Sequence, residues 1–201
     1  MYFRKLSLEM FTTPKSLQKR TGKSDIDRAT YFKQLLEEYN NFSTHEDKRL
    51  QILANFGNFA YDPINYEYIR RFNIIDIFIN ILNEFCNTEK IYSKSILEVN
   101  FSSGAICNLS IDPRNKEYLL RNNLTKLLIK CLVKIELRSN EEEKIIINVL
   151  MTLMFIFDET ILKEFLFSDT IIKVYELSRS NVKQIANIAN LFIQDYYQIN
   201  I

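Results

Sequence analysis

One stretch of this chain occurs twice. Eight side chains, Asn58, Asp62, Pro63, Asn65, Glu67, Tyr68, Arg71 and Asn73, recur without a gap as Asn108, Asp112, Pro113, Asn115, Glu117, Tyr118, Arg121 and Asn123, at an offset of 50 residues. The match continues in apolar character, from Ile77, Phe78, Ile79 and Leu82 to Leu127, Leu128, Ile129 and Leu132. Self-similarity at such a period is the mark of a repeat architecture, in which one supersecondary unit buries its apolar face only against a neighbouring copy.

Each copy reads as three helices. Asp62-Pro63 and Asp112-Pro113 are start signals: the carboxylate accepts from orphan amides and proline is preset for a first helical turn. A short helix then runs to Arg71 or Arg121. Asn73 and Asn123 tolerate the left-handed conformation that a tight helix-to-helix turn needs. The second helices, Ile74 to about Cys86 and Leu124 to about Leu137, carry apolar stripes at helical spacing: Ile74, Ile77, Phe78, Ile81, Leu82 and Phe85, and Leu124, Leu127, Leu128, Cys131, Leu132 and Ile135. The third helices, about Ile91 to Leu109 and its counterpart Glu46 to Phe59, lead into the Asp-Pro signals. Ser24 to Phe42, with Ser24 and Asp27 resembling a capping box, supplies an opening helix. His45 is expected to follow a Thr44-to-Asp47 cap. Further segments, Glu141 to Phe157, Asp158 to Phe167, Asp169 to Ser178 and Asn181 to Tyr196, fit degenerate copies. Only three glycines and three prolines occur in 201 residues, against about 7% and 5% in average usage, which excludes turn-dense all-β folds. The expected fold is all-α, a right-handed α-solenoid of about three to four three-helix repeats. It occupies residues 24–201 as a single domain, after a basic and flexible arm of residues 1–23.

The net charge is only +1, so the whole chain has no electrostatic footprint of a nucleic-acid binder. The arm differs: it holds six basic side chains against Glu9 alone, and Lys15, Lys19, Arg20 and Lys23 are its candidate RNA contacts. No signal peptide is apparent. The most apolar run, Ile145 to Phe157, is shorter than the ~20 residues of a bilayer crossing, so a soluble protein without membrane contact is expected. Cys86, Cys107 and Cys131 lack the spacing of a metal or redox motif and read as reduced, buried thiols. Arg20 to Ser24 ends like a phosphate-binding loop, but Leu17 stands where its first glycine is needed. His45 is the one histidine, which leaves no zinc motif and only a remote base for Cys107. The acids Glu37, Glu38 and Glu141 to Glu143 suit a helix face and a helix start. No enzyme, cofactor, metal or small-molecule substrate is expected.

The repeated asparagines divide. Asn65 and Asn115 suit side-chain bonds to neighbouring backbone. Asn58 and Asn108 have two readings, a row of amides gripping an extended partner chain and helix-terminal residues satisfying their own carbonyls. Stacking the third helices gives a provisional partner groove of Gln51, Ala54 and Asn58; Phe101, Gly104 and Asn108; and Asn148, Met151 and Phe155. Against it stands the alternative that Phe101, Met151 and Phe155 point into the core.

The run Leu53 to Tyr68, with Asn55, Asn58, Asp62, Pro63 and Asn65, followed by Gly104, Cys107, Asn108, Asn115 and Glu117 and by Thr152 to Met154, resembles the armadillo repeat from about Tyr31 to Tyr196. The resemblance is closest to small nuclear members of that family. It implies a noncatalytic adaptor and scaffold that binds and stabilises an RNA-recognition-motif protein (RNA-binding motif protein 48-like) in pre-mRNA splicing. It places that adaptor in the minor spliceosome, near the capped end of a small nuclear RNA, and implies nuclear localisation. Armadillo importers carry a tryptophan one turn before each groove asparagine, whereas this chain has Ala54 and Gly104 there and no tryptophan. Import-type cargo binding is therefore not expected. The alternatives are an RNA-contacting factor acting through the basic arm and a general peptide-binding adaptor.

Overall fold

The computed structural model describes residues 11–13, 15–16, 26–88, 93–157 and 170–196, and all regular structure among them is helical. Ten α-helices are described: α1 (Arg28–Asn40), α2 (Glu46–Tyr61), α3 (Tyr66–Arg71), α4 (Ile74–Asn87), α5 (Ser93–Leu109), α6 (Pro113–Arg121), α7 (Leu124–Lys134), α8 (Asn140–Ile156), α9 (Thr170–Leu177) and α10 (Lys183–Tyr196). A 3₁₀ turn, Pro63–Asn65, precedes α3. The protein is all-α, with armadillo-like helical repeats. Its chain forms two compact units, Met1–Ile77 and Phe78–Ile201, divided within α4. Among the described residues no helix is long and apolar enough to cross a membrane.

The helix punctuation follows the local sequence closely. Asp62 accepts from the Ile64 amide and Asp112 from the Asn115 amide. The two starts nevertheless differ: Asp112 opens a regular α-helix, while Asp62 opens a 3₁₀ turn and gives its other oxygen to the Thr12 amide at 3.1 Å. Asn73 and Asn123 are the two described non-glycine residues at positive φ, 53° and 56°. Left-handed backbone crowds a Cβ against the following carbonyl, most severely when the side chain is β-branched. Asn123→Val should therefore cost about 1–2 kcal/mol, read as a lower urea midpoint, while Asn123→Gly should stay within a few tenths of wild type.

Three helix starts correct the sequence reading. Asp27, not Ser24, caps α1, through its carboxylate and the Thr30 amide; Ser24 lies outside the described residues. The Thr30 hydroxyl also donates to Asp27, and this bond chiefly holds the carboxyl below its ordinary range. His45, not Thr44, caps α2: its Nδ1 accepts from the Asp47 amide at 3.4 Å, while the Thr44 hydroxyl turns back to the Glu38 carbonyl. Helix α8 starts from Ser139, whose hydroxyl accepts from the Glu142 amide as the Glu142 carboxylate accepts from the Arg138 amide. Glu142 is buried with this reciprocal cap, so it does more than complement the helix dipole.

In the first unit, α1 packs on α2, and Phe32 is fully buried among the rings of Phe56, Phe59, Tyr68 and Phe72. Two residues of the arm also touch this unit. The Phe11 ring lies 5.7 Å from Tyr61, and the Thr12 amide donates to Asp62. In the second unit, α8 packs along α5 and also meets α7 and α10. Its core includes Leu82, Val99, Ile106, Leu128, Ile145, Val149, Leu153, Ile185 and Phe192. All six stripe residues expected around α7, Leu124 to Ile135, are buried. The helix stops at Lys134, short of Leu137, because Ile135 turns extended. The segment Asp158 to Phe167 lies outside the described residues.

Candidate protein-binding face

The third helices of the repeats are α2, α5 and α8, and each buries one stripe and leaves another open. On α2, Ile52, Leu53, Phe56 and Ala60 are buried, whereas Gln51 and Asn58 are exposed and Ala54 is half-buried. On α5, Val99, Ser103, Ile106 and Leu109 face inward while Phe101, Gly104 and Asn108 are half-buried. On α8, Ile145, Val149, Leu153 and Ile156 are buried; Asn148 and Met151 are half-buried and Phe155 is exposed at 39%. Residues spaced by three and four along one helix share a face, so each trio forms a single open stripe. Of the three residues with a core alternative, Phe155 is exposed, whereas Phe101 and Met151 are half-buried.

Within the second unit, the stripes of α5 and α8 meet. The Asn148 amide nitrogen reaches the Ser103 hydroxyl at 3.4 Å and stands 3.3 Å from where a Cβ on Gly104 would lie. The absence of a side chain at Gly104 thus makes room for Asn148. At the far end of the pair, the Lys116 ammonium bonds the Phe155 carbonyl at 2.8 Å, tying α6 to the C-terminal turn of α8. The resulting face combines amides with apolar area from Phe101, Met151 and Phe155. It can offer backbone hydrogen bonds and a ring for a partner to cover. Gly104→Ala tests the packing: helix propensity favours alanine by about 0.5–1 kcal/mol, and the side-chain amide of Asn148 can yield by rotating. The expected result is a small rise in Tm, and a loss of more than about 1 kcal/mol would show that the Asn148 seat is rigid.

The other singled-out residues fall elsewhere. Asn65 and Asn115 are buried, and Asn65 Nδ2 donates to the Phe59 carbonyl at 3.0 Å, the backbone role expected of it. Cys107 is buried, and burial pushes its thiol up, which suits packing rather than nucleophilic attack. His45 is an exposed helix cap. Of the candidate RNA contacts, Lys15 is exposed; Lys19, Arg20 and Lys23 lie outside the described residues.

Two features were missed from sequence. Lys134 donates to the Phe85 and Thr88 carbonyls, so a cation on α7 caps the C-terminal end of α4. A cleft of about 380 Å³ lies between α4 and α7, lined by Ile79, Asn80, Asn83, Asn122, Asn123, Lys126, Leu127 and Lys130. It belongs to the second helices, and helical periodicity gives no signal for it.

Helical repeats with open third-helix stripes and no strand among the described residues define an armadillo-like interaction scaffold as the class of structure. No family model matches the chain. Part of it is similar to Armadillo repeat-containing protein 7 of Mus musculus, at 33% identity over 82 residues, 41% of this chain. The match takes in 36% of that relative's length, so the chain is matched to about a third of it. This span is shorter than the Tyr31 to Tyr196 resemblance read from the motifs. It supports armadillo kinship more firmly than kinship with that one member.

Proposed function

We propose that this protein is a noncatalytic armadillo-type adaptor that binds and stabilises an RNA-recognition-motif protein, RNA-binding motif protein 48-like, within a nuclear pre-mRNA splicing complex of the minor spliceosome. The similarity to Armadillo repeat-containing protein 7 is the observation that carries the reading, together with the motif resemblance that implies the splicing partner. The open stripes of α5 and α8 support a protein as occupant. Their apolar and amide groups suit a helix or an extended tail. RNA contact in this reading is indirect or made through the N-terminal arm, and the face takes no small-molecule substrate or cofactor.

Affinity purification of the tagged protein from its own cells, with and without ribonuclease, tests the reading. Recovery of one RNA-recognition-motif protein that survives ribonuclease is the expected result. Recovery of RNA alone, or of diverse peptide cargoes, would overturn it in favour of an RNA-contacting factor or a general peptide adaptor.

A further inference from the structure

Two of the three cysteines converge although 45 residues separate them. Cys86, in the last turn of α4, and Cys131, in α7, place their sulfurs 3.1 Å apart. A disulfide needs about 2.05 Å between sulfurs, so closure asks for an approach of roughly 1 Å. Cys131 is fully buried, whereas Cys86 keeps part of its surface open. We propose that Cys86 and Cys131 are an oxidisable dithiol, which peroxide converts to a disulfide linking α4 to α7 at the end of the cleft between them.

The asymmetry of the pair assigns the roles. Either thiol can donate in the bond between the two sulfurs, but Cys86 alone of the pair keeps open surface, and the nearby Lys134 and Lys130 ammoniums favour a thiolate there. The half-buried Cys86 is thus the sulfur that meets the oxidant. Its thiolate attacks one peroxide oxygen, the O–O bond breaks, and the departing hydroxide takes a proton to become water. Cys86 is then a sulfenic acid, electrophilic at its sulfur. The Cys131 sulfur attacks the Cys86 sulfur, loses its proton and expels the sulfenic oxygen as a second water. Two thiols and one hydrogen peroxide give one disulfide and two waters. Cys131 needs no access to solvent for this step.

The bond would act on the cleft. Asn83 lies one turn before Cys86, and Leu127 one turn before Cys131, and both line that cleft; the Cys86 sulfur also approaches the Leu127 carbonyl at 3.7 Å. Linking the two walls at this end fixes their spacing, and closing a loop of this length restricts the unfolded chain.

The test uses the folded full-length protein, reduced and then exposed to hydrogen peroxide, with peptide mapping under non-reducing conditions. The expected result is one intramolecular peptide pair containing Cys86 and Cys131, Cys107 remaining alkylatable, and a Tm several degrees higher that falls back on reduction. Cys131→Ser should instead leave a sulfenic acid at Cys86 that dimedone traps. The proposal is overturned if the Cys86–Cys131 peptide is absent from the oxidised protein, if it forms only in urea, or if oxidation yields mainly Cys107-linked or intermolecular products. The wild-type peptide map decides even if a variant does not fold.

Discussion

Phe32→Ala is expected to cost about 3–5 kcal/mol, a large part of the 5–15 kcal/mol that typically separates folded from unfolded chains. Phe32 is fully buried and its ring lies 4.9 Å from that of Phe59, 5.6 Å from Tyr68, 6.3 Å from Phe56 and 6.4 Å from Phe72. Four aromatic neighbours cannot collapse together into the space of a lost phenyl group, so a cavity term adds to the lost burial. Phe32 is the residue of α1 buried within the first unit, which makes it the chief attachment of that helix. Urea unfolding followed by far-UV circular dichroism checks the expectation. Because the chain forms two compact units, the loss should appear as an early transition belonging to part of the helical signal. A midpoint shift worth less than about 1 kcal/mol would show that the cluster repacks without it.

Phe155→Glu is expected to weaken capture of the proposed RNA-recognition-motif partner by at least about 30-fold, the equivalent of losing a hot-spot contact of roughly 2 kcal/mol. Phe155 is the most exposed apolar residue of the α5 and α8 stripes, and its backbone position is held independently of its side chain by the Lys116 bond to its carbonyl. The substitution places a charge where a partner would have to desolvate it, while leaving the buried side of α8 untouched. Ile172→Glu, on α9 and more exposed still at 59%, serves as the comparison and should bind as wild type. Titration of purified partner against each variant reads the difference. Equal affinity of both variants would remove the α5 and α8 stripes from the interface, even if the adaptor function itself stood.

The fold was legible because its signals are local. An aspartate before a proline caps a helix through amides two or three residues away, and the same arrangement at Asp62 and Asp112 gave two helix starts. Asn73 and Asn123 adopt positive φ because the turn between two helices requires it within a few residues. The stripes on α2, α5 and α8 were equally accessible, since helical geometry alone assigns residues three and four apart to one side. Sequence periodicity left open which way Phe101, Met151 and Phe155 turn, because an apolar residue satisfies a helical pattern on either flank of the buried stripe.

Other features rest on which helix lies beside which. Cys86 and Cys131 meet only because α4 and α7 bring their ends together, and nothing in a spacing of 45 residues signals a 3.1 Å approach. Lys134 caps a helix it does not belong to, and Gly104 lies where a Cβ would meet Asn148 of another helix at 3.3 Å. The sequence by itself determined the helices and their repeats, through hydrogen bonds and apolar spacing that act over a few residues. The tertiary structure alone decided the thiol pair, the lysine cap and the cleft, because each depends on contacts between residues distant in the chain, for which periodicity carries no information.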